Sequence, residues 1–135
     1  MKRCMRCVVI CLFLFTLTGC VSEPVKTEKL RDLEFTVLDK LSVPDEFQTL
    51  IEEKKEKPFR LTYADAEELY IAEGYGAQLK TGYSVEVTEL YETENAIFIH
   101  TNLLGPGKEE ETKEITTFPY VVVKLKLIDK NVVFD

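Results

Sequence analysis

Tryptophan is absent from the 135 residues and histidine occurs once, at His100. No cysteine lies beyond position 20: Cys4, Cys7, Cys11 and Cys20 are the full set. The body of the chain therefore has no thiol for a disulfide, a zinc-thiolate site or a cysteine nucleophile. Basic residues are also scarce, 17 against 24 acidic, for a formal net charge of −7. Nucleic-acid binding requires clustered Lys and Arg to displace counterions, and this balance excludes it as the expected role. The longest uncharged apolar stretch, Cys7 to Val21, holds 15 residues, short of the roughly 20 a helix needs to span a bilayer core. No alternating acids with a central Gly and a closing Glu form a calcium loop. Gly74-Tyr75-Gly76 lacks the third Gly and the following helix of a phosphate cradle. No metal and no cofactor is expected.

Lys2, Arg3 and Arg6 precede the apolar run Val8 to Phe15, and Thr16-Leu17-Thr18-Gly19-Cys20 leads into a polar stretch. That is the three-part layout of an export signal. Leu17-Thr18-Gly19-Cys20 resembles the lipobox of bacterial lipoproteins. The resemblance implies cleavage after Gly19, a diacylglyceryl group with further acylation such as palmitate on Cys20, and residence on the extracytoplasmic face of a bacterial cell membrane. Two or more acyl chains hold a protein stably where one is marginal. Removing Lys2, Arg3 and Arg6 takes the basic count from 17 to 14 against 24 acidic residues, a formal net charge of −10. Lipid, not basic residues, would then hold the domain to the membrane.

The expected organisation is a signal at 1–19, the lipidated Cys20 with a polar tether to 32, and one mainly β domain from 33 to 135. Fully extended, a 12-residue tether reaches roughly 40 Å. Pro44, Asp45 and Glu46 mark a helix start, with Phe47, Leu50 and Ile51 on one stripe and Pro58 beyond its end. Period-two patterns predict strands over Leu33 to Leu38, Phe59 to Tyr63, Leu69 to Ala72, Tyr83 to Val87, Ala96 to Thr101 and Val121 to Leu127. Asp129-Lys130-Asn131 reads as a turn into Val132 to Phe134, closing a hairpin. The fold class is an antiparallel sandwich or curled sheet of six to seven strands with one short N-terminal helix.

Catalytic constellations are hard to find. His100 has no nucleophile motif beside it. Glu67-Glu68, Glu92 with Glu94, and Glu109-Glu110-Glu111 could serve acid/base chemistry only if the fold converged two of them. The chain is expected not to be an enzyme, the alternative being a carboxylate-dependent enzyme acting on cell-envelope carbohydrate or peptide. Glycine and aromatic residues cluster from Gly74 to Val85, where Tyr75 and Tyr83 offer amphipathic surface and Gly82 permits a close turn. The cluster is either a binding loop or a glycine-supported turn with Tyr83 in the core. Leu103 to Phe118, opening with Gly105-Pro106-Gly107, is long for a hairpin connection.

Gly74-x-Gly76, Thr81-Gly82-Tyr83-Ser84-Val85, Gly105-Pro106 and Phe118-Pro119-Tyr120-Val121-Val122-Val123 together resemble the C-terminal domain family named after PrcB, an accessory subunit of a bacterial cell-surface protease complex. The similarity covers about residues 69 to 128. It implies a mainly β, non-catalytic domain of exported proteins, with a surface protease as the partner class. The residues marked for partner contact are Tyr75, Thr81, Gly82, Tyr83, Pro106 and Tyr120. Thr81-Gly82-Tyr83-Ser84 is also similar to the Thr-Gly-Tyr loop of chagasin-type protease inhibitors, whose two other inhibitory motifs are missing here.

Overall fold

The computed structural model describes residues 28–135. The signal, Gly19, Cys20 and most of the tether lie outside the described residues. Eight strands form two four-stranded sheets. The first sheet contains β1 (Lys29–Asp32), β5 (Ser84–Thr93), β6 (Ala96–Leu104) and β8 (Asn131–Phe134), in that order. The second runs β2 (Thr36–Val37), β7 (Tyr120–Lys126), β4 (Glu68–Tyr75) and β3 (Pro58–Ala64). One helix, α1 (Asp45–Lys54), packs on the outer face of the second sheet. The sandwich expected from the sequence is thus present, with the helix as a third layer.

Alternation along the strands assigns the layers. Leu69, Ile71, Val121, Val123 and Leu125 point from the second sheet toward Leu90, Ile97 and Ile99 of the first, forming the inter-sheet core. The opposite side of the same strands, Tyr70, Ala72 and Val122, meets Phe47 and Ile51 of α1. β4 and β7 are therefore buried on both faces, which requires near-continuous apolar runs. Pro44 precedes α1 and the acids Asp45 and Glu46 occupy its first turn, favourable at the positive end of the helix dipole. Phe47 and Ile51 are fully buried, and Phe47 stacks on Tyr63 with ring centroids 5.4 Å apart. Leu50, on the same predicted stripe, is left at the margin and half-exposed.

Three expectations need correction. Lys29–Asp32, assigned to the tether, is β1, paired antiparallel with β5. All four of its residues are exposed and Leu30 is its single apolar one, so it carries no apolar period, and it is held from across the fold: Arg31 Nη2 lies 2.6 Å from Glu92 of β5. The strand foreseen at Leu33 to Leu38 is broken, because the chain leaves the first sheet after Asp32 and joins the second only at β2. Val132 to Phe134 does not form a hairpin with β7. The chain crosses to the first sheet and β8 pairs in parallel with β6, Ala96 beside Asn131 and Ile99 beside Phe134. Inward-facing Val132 and Phe134 join the core in either arrangement, so hydrophobic pattern alone could not choose the partner. Among the described residues the strand count is accordingly eight, and one pair is parallel.

Candidate functional site

Both segments singled out from the sequence meet at one end of the sandwich. β4 ends at Tyr75, whose N–H donates to Pro119 O (3.1 Å). The backbone then runs alongside the β6–β7 loop. Gln78 and Thr117 exchange backbone hydrogen bonds of 2.8 and 2.9 Å, and Thr81 N–H donates to Lys113 O at 3.0 Å. Side chains add rungs: Thr81 Oγ1 accepts from Lys113 N–H (2.9 Å) and Thr117 Oγ1 donates to Lys80 O (3.0 Å). Gly82 has φ +101°, and a Cβ there would stand 2.7 Å from Pro106 Cβ. Only glycine satisfies both the backbone angle and that approach. Tyr83 is half-buried, its ring 3.5 Å from where a Cβ on Gly105 would lie. Even the charged run is ordered: Glu110 N–H donates to Gly107 O (3.1 Å) and Gly107 N–H to Glu110 Oε1 (3.2 Å).

Two loops laced in this way present side chains with little freedom left to lose on binding. Leu79 is 80% exposed and Ile115 55% exposed on this end, with Leu104 at the end of β6. Of the residues marked from the sequence, Thr81, Gly82, Tyr83 and Pro106 come together here. Tyr120 does not join them. Its ring tilts against Phe59 (centroids 6.1 Å) and its hydroxyl accepts from Gln48 Nε2 (3.2 Å), so it docks α1 onto the sheet.

Tyr75 belongs to a polar network beside the loops. Glu73 is only 7% exposed and sits on the inter-sheet face of β4, in register after Leu69 and Ile71. Arg60 Nε donates to its Oε2 at 3.0 Å and Thr101 Oγ1 to its Oε1 at 2.9 Å. Tyr75 hydroxyl lies 2.7 Å from Thr101 Oγ1. Thr101 spends its hydrogen on the carboxylate, so Tyr75 donates, and the chain of hydroxyls ends on a charge neutralised by the guanidinium. Arg60 also lies over the Phe134 ring, 5.6 Å from its centroid. A cavity of about 290 Å³ opens here, lined by Pro58, Phe59, Arg60, Glu73, Gly74 and Tyr75. Gly74 admits the Phe59 ring, which a Cβ would overlap at 2.2 Å. The sequence reading missed this cluster, although a glutamate continuing the Leu69, Ile71 period on a core-facing side was a visible signal.

The acidic groups noted from the sequence take separate places. Glu92 is buried in the first sheet with Lys130 Nζ 2.7 Å from its Oε2. Its Oε1 lies 2.6 Å from Arg31 Nη2, an ion pair without the alignment of a hydrogen bond. The hydrogen bond from Lys130, aided by the charge of Arg31, holds the Glu92 carboxyl below its usual range against the opposing effect of burial. Glu68 stands opposite Lys126 in the β4–β7 register. His100 donates from Nδ1 to Asp135 O at 3.0 Å. Among the described residues no group of three or more His, Cys, Asp or Glu is placed to hold a metal ion, and no helix is long and apolar enough to cross a membrane.

Fold and site together define a helix-backed β-sandwich with a loop-built end and a buried charged network beside it. Residues 69–126, from β4 through β7 and including both laced loops, match the protein family described as PrcB C-terminal. The resemblance read from the glycine and aromatic motifs is thereby supported over that span. No curated protein and no solved structure shows a significant match.

Proposed function

We propose that the protein is a lipid-anchored, extracytoplasmic accessory module that stabilises a cell-surface protease complex. The observation that carries this reading is the PrcB C-terminal match, because its span contains the elements that build the loop-laced end. Leu79, Ile115 and Tyr83 form the contact surface, and a rigid frame beneath them lowers the entropic cost of docking. Cys20 carries the anchor. With β1 beginning at Lys29, opposite Thr93 at the end of β5 remote from the loops, the eight residues 21–28 bridge lipid and domain with a reach of at most about 28 Å, and the loop-built end is turned away from the anchor.

Two experiments test this reading. Deleting the gene should lower the abundance or activity of a surface protease, restored by the wild-type copy; an unaltered extracellular proteolytic profile would refute the accessory role. Cys20→Ser should shift the protein from the membrane to the soluble fraction, and full membrane retention of that variant would refute the anchor.

A further inference from the structure

The two sheets expose four edges of unequal length. β1 and β8 have four residues each and β2 has two, whereas β3 has seven. An edge strand presents unpaired N–H and C=O groups, and shortness is one way of blunting it. β3 is not blunted in that way. The Asp65 N–H to Glu68 O bond (3.0 Å) sets the phase of the β3–β4 ladder, in which Ala64 lies opposite Leu69. By alternation Phe59, Leu61 and Tyr63 turn their backbone groups toward β4, and Arg60, Thr62 and Ala64 turn theirs outward. No strand among the described residues pairs with that outer side. Arg60, Thr62 and Ala64 are exposed.

We propose that β3 pairs antiparallel with β3 of a second copy, about a two-fold axis at Leu61, joining the two second sheets into one of eight strands. In this register Arg60 meets Thr62 of the other copy, so outward-facing backbone groups oppose one another as hydrogen bonding requires. Pro58, which has no N–H, falls opposite Ala64 and only needs to accept. Lys57 falls opposite Asp65 at both ends of the interface, and neither makes an ion pair within its own chain among the described residues. Asp65 keeps its turn, where Oδ1 accepts from Glu67 N–H (3.1 Å) and Glu68 N–H (2.9 Å), with its second oxygen left for Lys57. Phe59, Leu61 and Tyr63, all packed in the α1 cluster, would continue that apolar layer across the axis. The charge match at both ends favours a second copy over an unrelated strand. This interface is separate from the protease-directed one and stands or falls independently of it.

Sedimentation equilibrium of the full, membrane-extracted protein in detergent, over a concentration series, tests the pairing. The wild type should reach twice the mass of a single chain. Thr62→Pro removes an outward donor without touching the β4 ladder and should leave a monomer with unchanged circular dichroism. Lys57→Glu, which places like charges at both ends, should raise the dimer dissociation constant about tenfold; it serves if Thr62→Pro proves unfolded. A monomer at every concentration, a dimer indifferent to both variants, or a complex with another protein in place of a second copy would overturn the proposal.

Discussion

Gly82→Ala is the sharpest perturbation of the loop-built end. A non-glycine residue at φ +101° costs about 1–2 kcal/mol. The added Cβ, 2.7 Å from Pro106 Cβ, must push the two loops apart, at about 1–3 kcal/mol for an overpacked contact. A loss near 3 kcal/mol corresponds to a fall in Tm of roughly 10–20 °C for a domain of this size. Gly107→Ala is the control, because nothing lies within 4 Å of its Cβ position and its φ is not positive; it should change stability by less than about 0.5 kcal/mol. Pro106→Gly in the Gly82→Ala background removes the opposing carbon. A double-mutant cycle by urea unfolding should then give a coupling of about 1 kcal/mol or more. Gly82→Ala as mild as Gly107→Ala, or strict additivity with Pro106→Gly, would refute the claim that the loops are locked at this contact.

Phe47→Ala should cost about 3–5 kcal/mol in chemical denaturation, since the ring is fully buried between α1 and the second sheet, with Leu50→Ala much milder. Glu92 has a lower pKa folded than unfolded, so its stabilisation is present above the ordinary glutamate value of about 4.3 and is lost as pH falls through the folded value. Glu92→Gln should therefore unfold more readily at neutral pH, and its deficit relative to wild type should shrink on acidification; urea midpoints measured from neutral to acid pH check both.

Most of the fold was legible where apolar residues repeat in a period that geometry enforces. Val121, Val123 and Leu125, and the Phe47 and Ile51 pair, could not face elsewhere without exposing their side chains. Legibility failed where pairing depends on distant groups. β1 has no apolar face and is secured by Glu92, more than 60 positions away. The period along β5 shifts between Val87 and Glu89, where a bulge leaves Thr88 to donate to His100 O (3.1 Å); this slip turns Leu90 and Glu92 inward. At the site, the sequence marked the loops but not their lacing, because Gln78 with Thr117 and Thr81 with Lys113 are contacts between segments more than 30 positions apart. Tyr120 was grouped with the loops by its motif, whereas its Gln48 and Phe59 contacts place it under the helix.

The most direct measurement of the accessory role is affinity purification of the protein from detergent-solubilised membranes, comparing wild type with Tyr83→Ala. Tyr83 supports the shared loop surface from a half-buried position. The wild type should retain a surface protease that the folded Tyr83→Ala variant loses. Recovery of the same proteins, in the same amounts, with both forms would contradict the account.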